Sequence, residues 1–320
     1  MPKVSIIINC LNGEDYLEEA LESVRRQTYT DYEIVFLDNH STDNTGIIAK
    51  KFGEKLNYYC TEKTVSLGKA RNIALEYSKG EYIAFLDSDD LWEKHKLQRQ
   101  IDILERIPEI GVVHSNFNTL NMDTGEVAVV HKGRNDRIDE FEDFVLKYAY
   151  CLSTFMIRKA LIVKPRIFFD ERMQYAEEYD FFSRLMLNSK AYYIGIPLCT
   201  RRVHSAMNTL KLADLIPIEH RMTLNNLRNE VNDFDEKHPG VAKKINSVAD
   251  YMECKNLLPK GENQAVRLKM RKYLFYDIRC TVYYIISFFP SSVSKILFRF
   301  IYRNHYEMTG GDESQNKVNI

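Results

Sequence analysis

Asp87-Ser88-Asp89-Asp90 is the segment whose residue types and spacing could do chemistry. It follows Tyr82–Leu86, an unbroken apolar run with the pattern of a strand buried on both faces of a parallel sheet. Open α/β sheets bind ligands beyond the carboxyl ends of their central strands, which is where these acids fall. In an extended segment residues two apart face the same way, so Asp87 and Asp89 would present carboxylates to one point. Hard oxygen donors suit Mg2+ or Mn2+, and such an ion in turn holds phosphates. The competing role is structural: Ser88, Asp89 and Asp90 could cap the helix whose pattern runs from Leu91 to Ile107.

Such residues need strands that end side by side. Val4–Ile8, Tyr32–Leu37 and Tyr58–Cys60 read as strands. Helical spacing spans Tyr16–Val24 and Leu67–Ser78, and another helix opens near Thr45. This alternation predicts a parallel α/β sheet. Polar residues close three strand ends, Asn9–Asn12, Asp38–Asn39 and Asp87–Asp90, which makes a nucleotide crevice the expected feature there. Further on the pattern is mixed. Gly111–His114, Glu126–Val130, Ala191–Ile196 and Leu198–His204 read as extended, Lys132–Asp139 as an exposed loop, and Phe141–Tyr150 and Ile157–Ile162 as helical. From about Leu210 the chain is helical without motifs.

The 320 residues suffice for one large domain or two smaller ones. A net charge of −1 supplies no field for nucleic acid. Six widely spaced cysteines form no zinc or C-x-x-C pattern, as expected of reduced thiols in a cytosolic protein. Val4–Ile8 is too short for a signal-peptide core, and no stretch reaches the roughly 20 apolar residues of a membrane span. G-x-G-x-x-G and G-x-x-x-x-G-K-[ST] are both absent, against a dehydrogenase or a P-loop enzyme. Residues 264–306 hold eight Lys/Arg against one acid, Asp277, among many apolar and aromatic residues. That pattern suits helices lying in a membrane interface; the alternative is a helix pair packed on the protein or at a dimer contact.

VSIIINCLNGEDYLEEALESVRRQTYTDYEIVFLDNHSTDNT and LGKARNIALEYSKGEYIAFLDSDD, then FFDERMQYAEEYDFFSRL and RRVHSAMNT, resemble the family 2 nucleotide-sugar glycosyltransferases of GT-A fold. The resemblance is dense over residues 3–115 and returns at 168–209. It implies an α/β, Rossmann-like, mostly parallel mixed sheet flanked by helices. Residues 1–209 would be the catalytic domain, with a nucleotide part (1–115) and an acceptor part (116–209); 210–320 would be a helical region.

Residue by residue, the resemblance places Asn9, Cys10, Leu11 and Asn12 at the nucleotide and Asp38 on its base, usually uracil; Asp38 could otherwise be a turn acid. Lys69 and Arg71 match the basic pair near nucleotide and phosphate, or else form a solvated helix face. Asp89 matches the metal acid of the D-x-D motif, with Asp87 and Ser88 near ribose and metal. Glu177 and Glu178 match the family's Glu-Asp pair, whose second acid is the general base; two acids at a helix start also complement its dipole. His204 matches a metal-contacting histidine, and Arg201 and Arg202 beside it suit a diphosphate. Leu11 stands where an aromatic is usual, His40 where Gly is usual, and Glu178 where Asp is usual.

The implied activity is inverting, Mn2+- or Mg2+-dependent transfer from a nucleotide-sugar, a UDP-sugar by the Asp38 match, to a hydroxyl of a glycan or lipid-linked acceptor. Bacterial surface polysaccharide synthesis is the implied setting. No nucleic-acid partner is expected; a homodimer and peripheral contact with the cytoplasmic face of the membrane are the possible associations. The rivals are a non-catalytic sugar-nucleotide or glycan-binding protein of the same fold, suggested by Glu178, and a nucleotidyltransferase. The latter would carry a basic, glycine-rich loop after the first strand, where Asn9–Gly13 has one glycine and no base.

Overall fold

The computed structural model describes residues 1–147, 150–163, 166–204 and 212–298. Its first part alternates β1 (Val4–Cys10), α1 (Leu17–Arg25), β2 (Tyr32–Asp38), α2 (Thr45–Lys50), β3 (Leu56–Cys60), α3 (Leu67–Tyr77) and β4 (Tyr82–Phe85). β2 and β4 are buried throughout and β1 at every residue but Asn9, so apolar runs rather than alternation mark these central strands. β1 pairs in parallel with β2 on one side and β4 on the other. Cys10 lies opposite Asp38, and Ile7 opposite Phe85, so the three strand ends open onto one edge. Gly80 admits this packing, because a Cβ there would meet the Ser5 backbone nitrogen at 2.5 Å.

The mixed part comprises β5 (Leu91–Trp92), α4 (Lys96–Arg106), β6 (Ile110–Asn121), β7 (Val127–Val129), β8 (Arg137–Asp139), α5 (Phe141–Leu146), β9 (Met156–Arg158), α6 (Ala160–Val163), α7 (Glu177–Met186) and β10 (Lys190–Val203). The sheet runs β3-β2-β1-β4-β9-β6-β10-β5, with β7 on β6 and β8 on β10. β9 joins β4 and β6, antiparallel to both. β10 runs parallel to β6 through register shifts at Pro197, which has no N–H to give the ladder.

Three expectations are corrected here. Leu91 and Trp92 do not begin a helix: they pair with Thr200 and Cys199 of β10, and the helix opens at Lys96. Ile157 lies in a strand, since a short apolar run buried on both faces has no periodicity to separate the two states. The polar stretch 132–139 ends in β8, with Asp139 buried.

The chain divides into two compact units, residues 1–212 with 225–234, and residues 213–224 with 235–320. Helix α8 (Ile216–Glu230) contributes to both. The second unit holds α9 (Phe234–Lys237) from Asp235 onward, α10 (Pro239–Lys260), α11 (Asn263–Met270) and α12 (Ile278–Ile286). Its core joins Tyr251, Cys254 and Leu258 of α10 to Val266 and Met270, Tyr273, and Cys280, Tyr283 and Ile286. Residues 264–286 thus bury an inner face within their own unit. Among the described residues no helix is long and apolar enough to cross a membrane.

Candidate active site

The segment after β4 is a turn: the Asp90 N–H donates to the Asp87 carbonyl at 3.1 Å. The extended geometry expected there is therefore replaced, and the two carboxylates engage different partners. Asp87 Oδ1 accepts from Arg71 Nη2 at 3.3 Å, whereas Asp89 Oδ2 lies 3.2 Å from His204 Nε2. Asp90 faces inward. Its Oδ2 accepts from Ser153 Oγ at 2.6 Å and Cys151 Sγ at 3.2 Å, and its Oδ1 from the Arg202 N–H at 3.2 Å. Burial, with the charges of Asp87 and Asp89 adding, pushes the Asp90 carboxyl up to about 8. None of these residues caps α4, which begins six residues after Asp90, at Lys96.

His204 and Asp89 are 115 residues apart in sequence. They meet because β10 pairs with β5, which brings the end of β10 back beside the turn. The Tyr16 ring lies against the His204 imidazole, with centroids 4.7 Å apart. Arg202, 1% exposed, sits behind the turn. Its guanidinium donates to the Asp89 carbonyl, to Glu19 Oε2 at 2.6 Å and to the Tyr16 carbonyl at 3.2 Å. Those partners make Arg202 a brace of the turn. Arg201 is half-buried; Cys151, Asp90, Glu178 and Asp87 together outweigh the burial that would lower its pKa and hold it raised.

On the other side of the turn, Glu177 opens α7 and its Oε1 accepts from Arg71 Nη1. Both side chains are nearly sealed, 3% and 5% exposed, so Arg71 is no solvated helix face. The guanidinium also lies over the Phe169 ring at 5.4 Å. Glu177 Oε2 is buried without a hydrogen-bond partner among the described residues. Glu178 remains partly open to solvent. Its carboxyl is pushed up to about 8 by burial, which prevails over the lowering by Arg71, and by the charges of Glu177 and Asp87. Asn226 Nδ2 donates to Asp180 Oδ1 at 2.8 Å and Asp170 Oδ2 at 3.0 Å, fixing α7 from the side.

The loops after β1 and β2 are stitched together. Asn12, at φ +54°, accepts the Thr42 N–H at 2.8 Å and donates its own N–H to Ser41 Oγ at 2.9 Å. The Gly13 N–H donates to Thr45 Oγ1 at 2.8 Å, and a Cβ at Gly13 would meet Cys10 Sγ at 2.4 Å. Burial pushes the Cys10 thiol up to about 11, against its hydrogen bond with Ser88. Asn9 Nδ2 is buried without a partner among the described residues, and Leu11 is 46% exposed at the loop tip.

Asp38 is held within the turn that follows β2. Its Oδ1 accepts the Ser41 N–H at 2.7 Å and its Oδ2 the Tyr58 hydroxyl at 2.6 Å. His40 has φ +67°, the left-handed region where glycine is at ease. Lys69 is half exposed, 4.0 Å from Glu171 Oε2. The structure thus gathers Asp87, Asp89, His204, Arg71, Glu177, Glu178 and Arg201, and places Lys69 on an exposed helix start and Asp38 against Tyr58. Sequence reasoning missed Tyr16, read only as an apolar helix position, and the inward role of Asp90. A fourth consecutive polar residue after a buried strand was the available signal for the latter.

The Glycosyl transferase family 2 model matches residues 5–163, the stretch from β1 to α6 that includes the strand ends, their loops and the acidic turn. The chain belongs to this family. This family 2 glycosyltransferase is 35% identical over 119 residues to the UDP-Glc:alpha-D-GlcNAc-diphosphoundecaprenol beta-1,3-glucosyltransferase WfgD of Escherichia coli, covering 37% of this chain and 47% of that protein. Its fold matches S. aureus TarS 1–349 in complex with UDP-GlcNAc at a TM-score of 0.60 and 19% identity, over 97% of this chain and 93% of that one. It also matches the mannosyltransferase PcManGT of Pyrobaculum calidifontis, in complex with GDP-Man and Mn2+, at 0.60 and 16%, over 92% and 87%. These likenesses carry the GT-A fold: a mostly parallel sheet flanked by helices, followed by a helical C-terminal region.

Proposed function

We propose that this family 2 glycosyltransferase transfers a sugar, with inversion, from a UDP-sugar to a hydroxyl of a glycan or lipid-linked acceptor in surface polysaccharide synthesis. The observation that carries the reading is the meeting of Asp89 and His204 at 3.2 Å, on the same turn whose Asp87 acts on the raised carboxyl of Glu178. The donor class is supported by the UDP-sugar of WfgD and of the TarS complex, and the acceptor class by the lipid diphosphate in WfgD's name. A cytoplasmic site of action follows from that donor and acceptor chemistry.

The Asp89 carboxylate and the His204 imidazole fit a divalent ion. They converge from two elements and are partly exposed, 32% and 13%, which leaves their outer side open to a diphosphate. The imidazole favours Mn2+ over Mg2+, which prefers oxygen donors alone, and PcManGT holds Mn2+. When bound, the ion would supply Lewis-acid neutralisation of the departing diphosphate.

Arg201 adds a fixed positive charge on the leaving-group side, where electrostatic stabilisation does most of the work. Arg202 and Tyr16 hold Asp89 and His204 in place. Glu178 removes the proton from the acceptor hydroxyl as it attacks the anomeric carbon, a role worth about 10²–10⁴ in rate. Glu177, tied to Arg71, is held away from that task, so we assign the base to Glu178 and positioning to Glu177 and Arg71. Asn9–Asn12 and Ser88 line the nucleotide. Leu11 cannot stack as an aromatic would, so base recognition rests on polar contacts.

UDP release from UDP-glucose and UDP-GlcNAc, measured with and without Mn2+ and glycan acceptors, tests the reading. Mn2+-dependent release that disappears in Glu178→Gln is expected. Mn2+-dependent binding without any release would instead make the chain a non-catalytic sugar-nucleotide binder.

A further inference from the structure

The second unit carries an exposed surface that the transfer chemistry does not use. Between α11 and α12 the chain reads Arg271-Lys272-Tyr273-Leu274-Phe275-Tyr276-Asp277-Ile278. Phe275 is 93% exposed and sits at φ +61°, a conformation that a bulky side chain rarely adopts. Ile278 is 75% exposed, and Tyr276 also lies on the surface. This display is held in place. Tyr273 Oη donates to Asp250 Oδ2 at 2.8 Å, and the Phe275 N–H donates to Thr281 Oγ1 at 3.0 Å. Asp277 accepts from Arg279 Nε at 3.0 Å and Nη2 at 2.6 Å. A strained, anchored backbone that presents a phenylalanine to solvent is a reason to look for a partner.

The charges identify that partner. Arg271, Lys272 and Lys243 are exposed, and Lys243 Nζ lies 4.2 Å over the Tyr276 ring. Asp277, the one acid of the loop, is buried and paired. Along α12 the buried stripe Cys280, Tyr283, Ile286 faces the core, while Ile278 and Ile285, two turns apart, are exposed on the outer side. Apolar tips ringed by cations match the interface of a bilayer bearing anionic headgroups. A second copy of the chain would set like charges against each other across a two-fold axis.

We propose that the loop of residues 271–278, with the outer face of α12, docks the protein on an anionic phospholipid surface: Phe275 and Ile278 enter the headgroup boundary, and Arg271, Lys272 and Lys243 bind the lipid phosphates. The proposal does not rest on the assignment of the transfer reaction.

The test is co-sedimentation of the full chain with vesicles of phosphatidylcholine alone and of phosphatidylcholine mixed with phosphatidylglycerol. Binding to the mixed vesicles, weakened by salt, is expected. The double change Phe275→Gly and Ile278→Ser should lower partitioning about a hundredfold. Glycine suits the positive φ, so the melting temperature should not fall by way of the backbone, which separates docking from folding. Arg271→Gln with Lys272→Gln should cost about twentyfold on the mixed vesicles and little on neutral ones. UDP release from a soluble acceptor reaction should be unchanged in both variants. Unchanged partitioning of Phe275→Gly/Ile278→Ser overturns the proposal. So does light scattering that shows the variant losing self-association with no change on vesicles, which would make the face a contact between copies.

Discussion

Glu178 carries its carboxylate one methylene further from the backbone than the aspartate usual in this family, a shift of about 1 Å that matters at a reacting centre. Burial and two nearby acids raise its pKa to about 8, against Arg71. For the proposed base this fixes a sign. The deprotonated form is the active one, so kcat/KM for the acceptor should climb with pH on a limb near about 8 in the free enzyme. The same shift acts oppositely on stability. A folded-state pKa raised from 4.5 to about 8 gives stability that is present below 4.5 and lost as pH rises through about 8. Glu178→Gln should therefore abolish transfer, leave UDP-sugar affinity nearly unchanged, and melt higher than the wild type at pH 9 but not at pH 4. Isothermal titration and thermal scans at the two pH values check all three outcomes. Asp89→Ala should remove the Mn2+ dependence of donor binding, and an affinity that keeps that dependence would exclude Asp89 as a ligand.

At the scale of elements, the site depends on α3, α7 and the β4 turn being tied by one buried cation. Arg71 joins Glu177 and Asp87, 106 and 16 residues away. Arg71→Met leaves Glu177 as an uncompensated buried charge and should cost about 3–5 kcal/mol in denaturant unfolding. It should also move the activity limb of Glu178 to higher pH, because the lowering influence of the guanidinium is lost. The loops after β1 and β2 form a second joint. Gly13→Ala would push a Cβ to 2.4 Å from Cys10 Sγ and should weaken UDP binding at least tenfold, with the melting temperature lowered. A loop that absorbs the methyl group with no loss of affinity would show that this joint does not shape the nucleotide site.

At the scale of the whole molecule, residues 225–234 return to the first unit, a division that a boundary at residue 209 does not contain. Asn226 accounts for part of it through Asp170 and Asp180 of the first unit. Ligand binding should be visible as linkage. UDP-sugar with Mn2+ at about a hundred times its Kd should add about 2.7 kcal/mol of stability, and a chelator should abolish most of that gain. A thermal shift that ignores the chelator would speak against metal-dependent donor binding.

The sequence by itself determined the strand–helix alternation of the first 90 residues and which side chains could do chemistry, because apolar periodicity and residue type are local properties. It misplaced Leu91 and Ile157, whose strand states depend on pairing with β10 and with β4 and β6. Only the tertiary structure decided how the chemistry-bearing residues divide their labour. A turn sends Asp87 to Arg71 and Asp89 to His204; the return of β10 seals Arg202 behind the turn; burial pairs Glu177 with Arg71 and raises the carboxyl of Glu178. These outcomes are set by desolvation and by ion pairs between residues far apart in the chain, which no local pattern encodes.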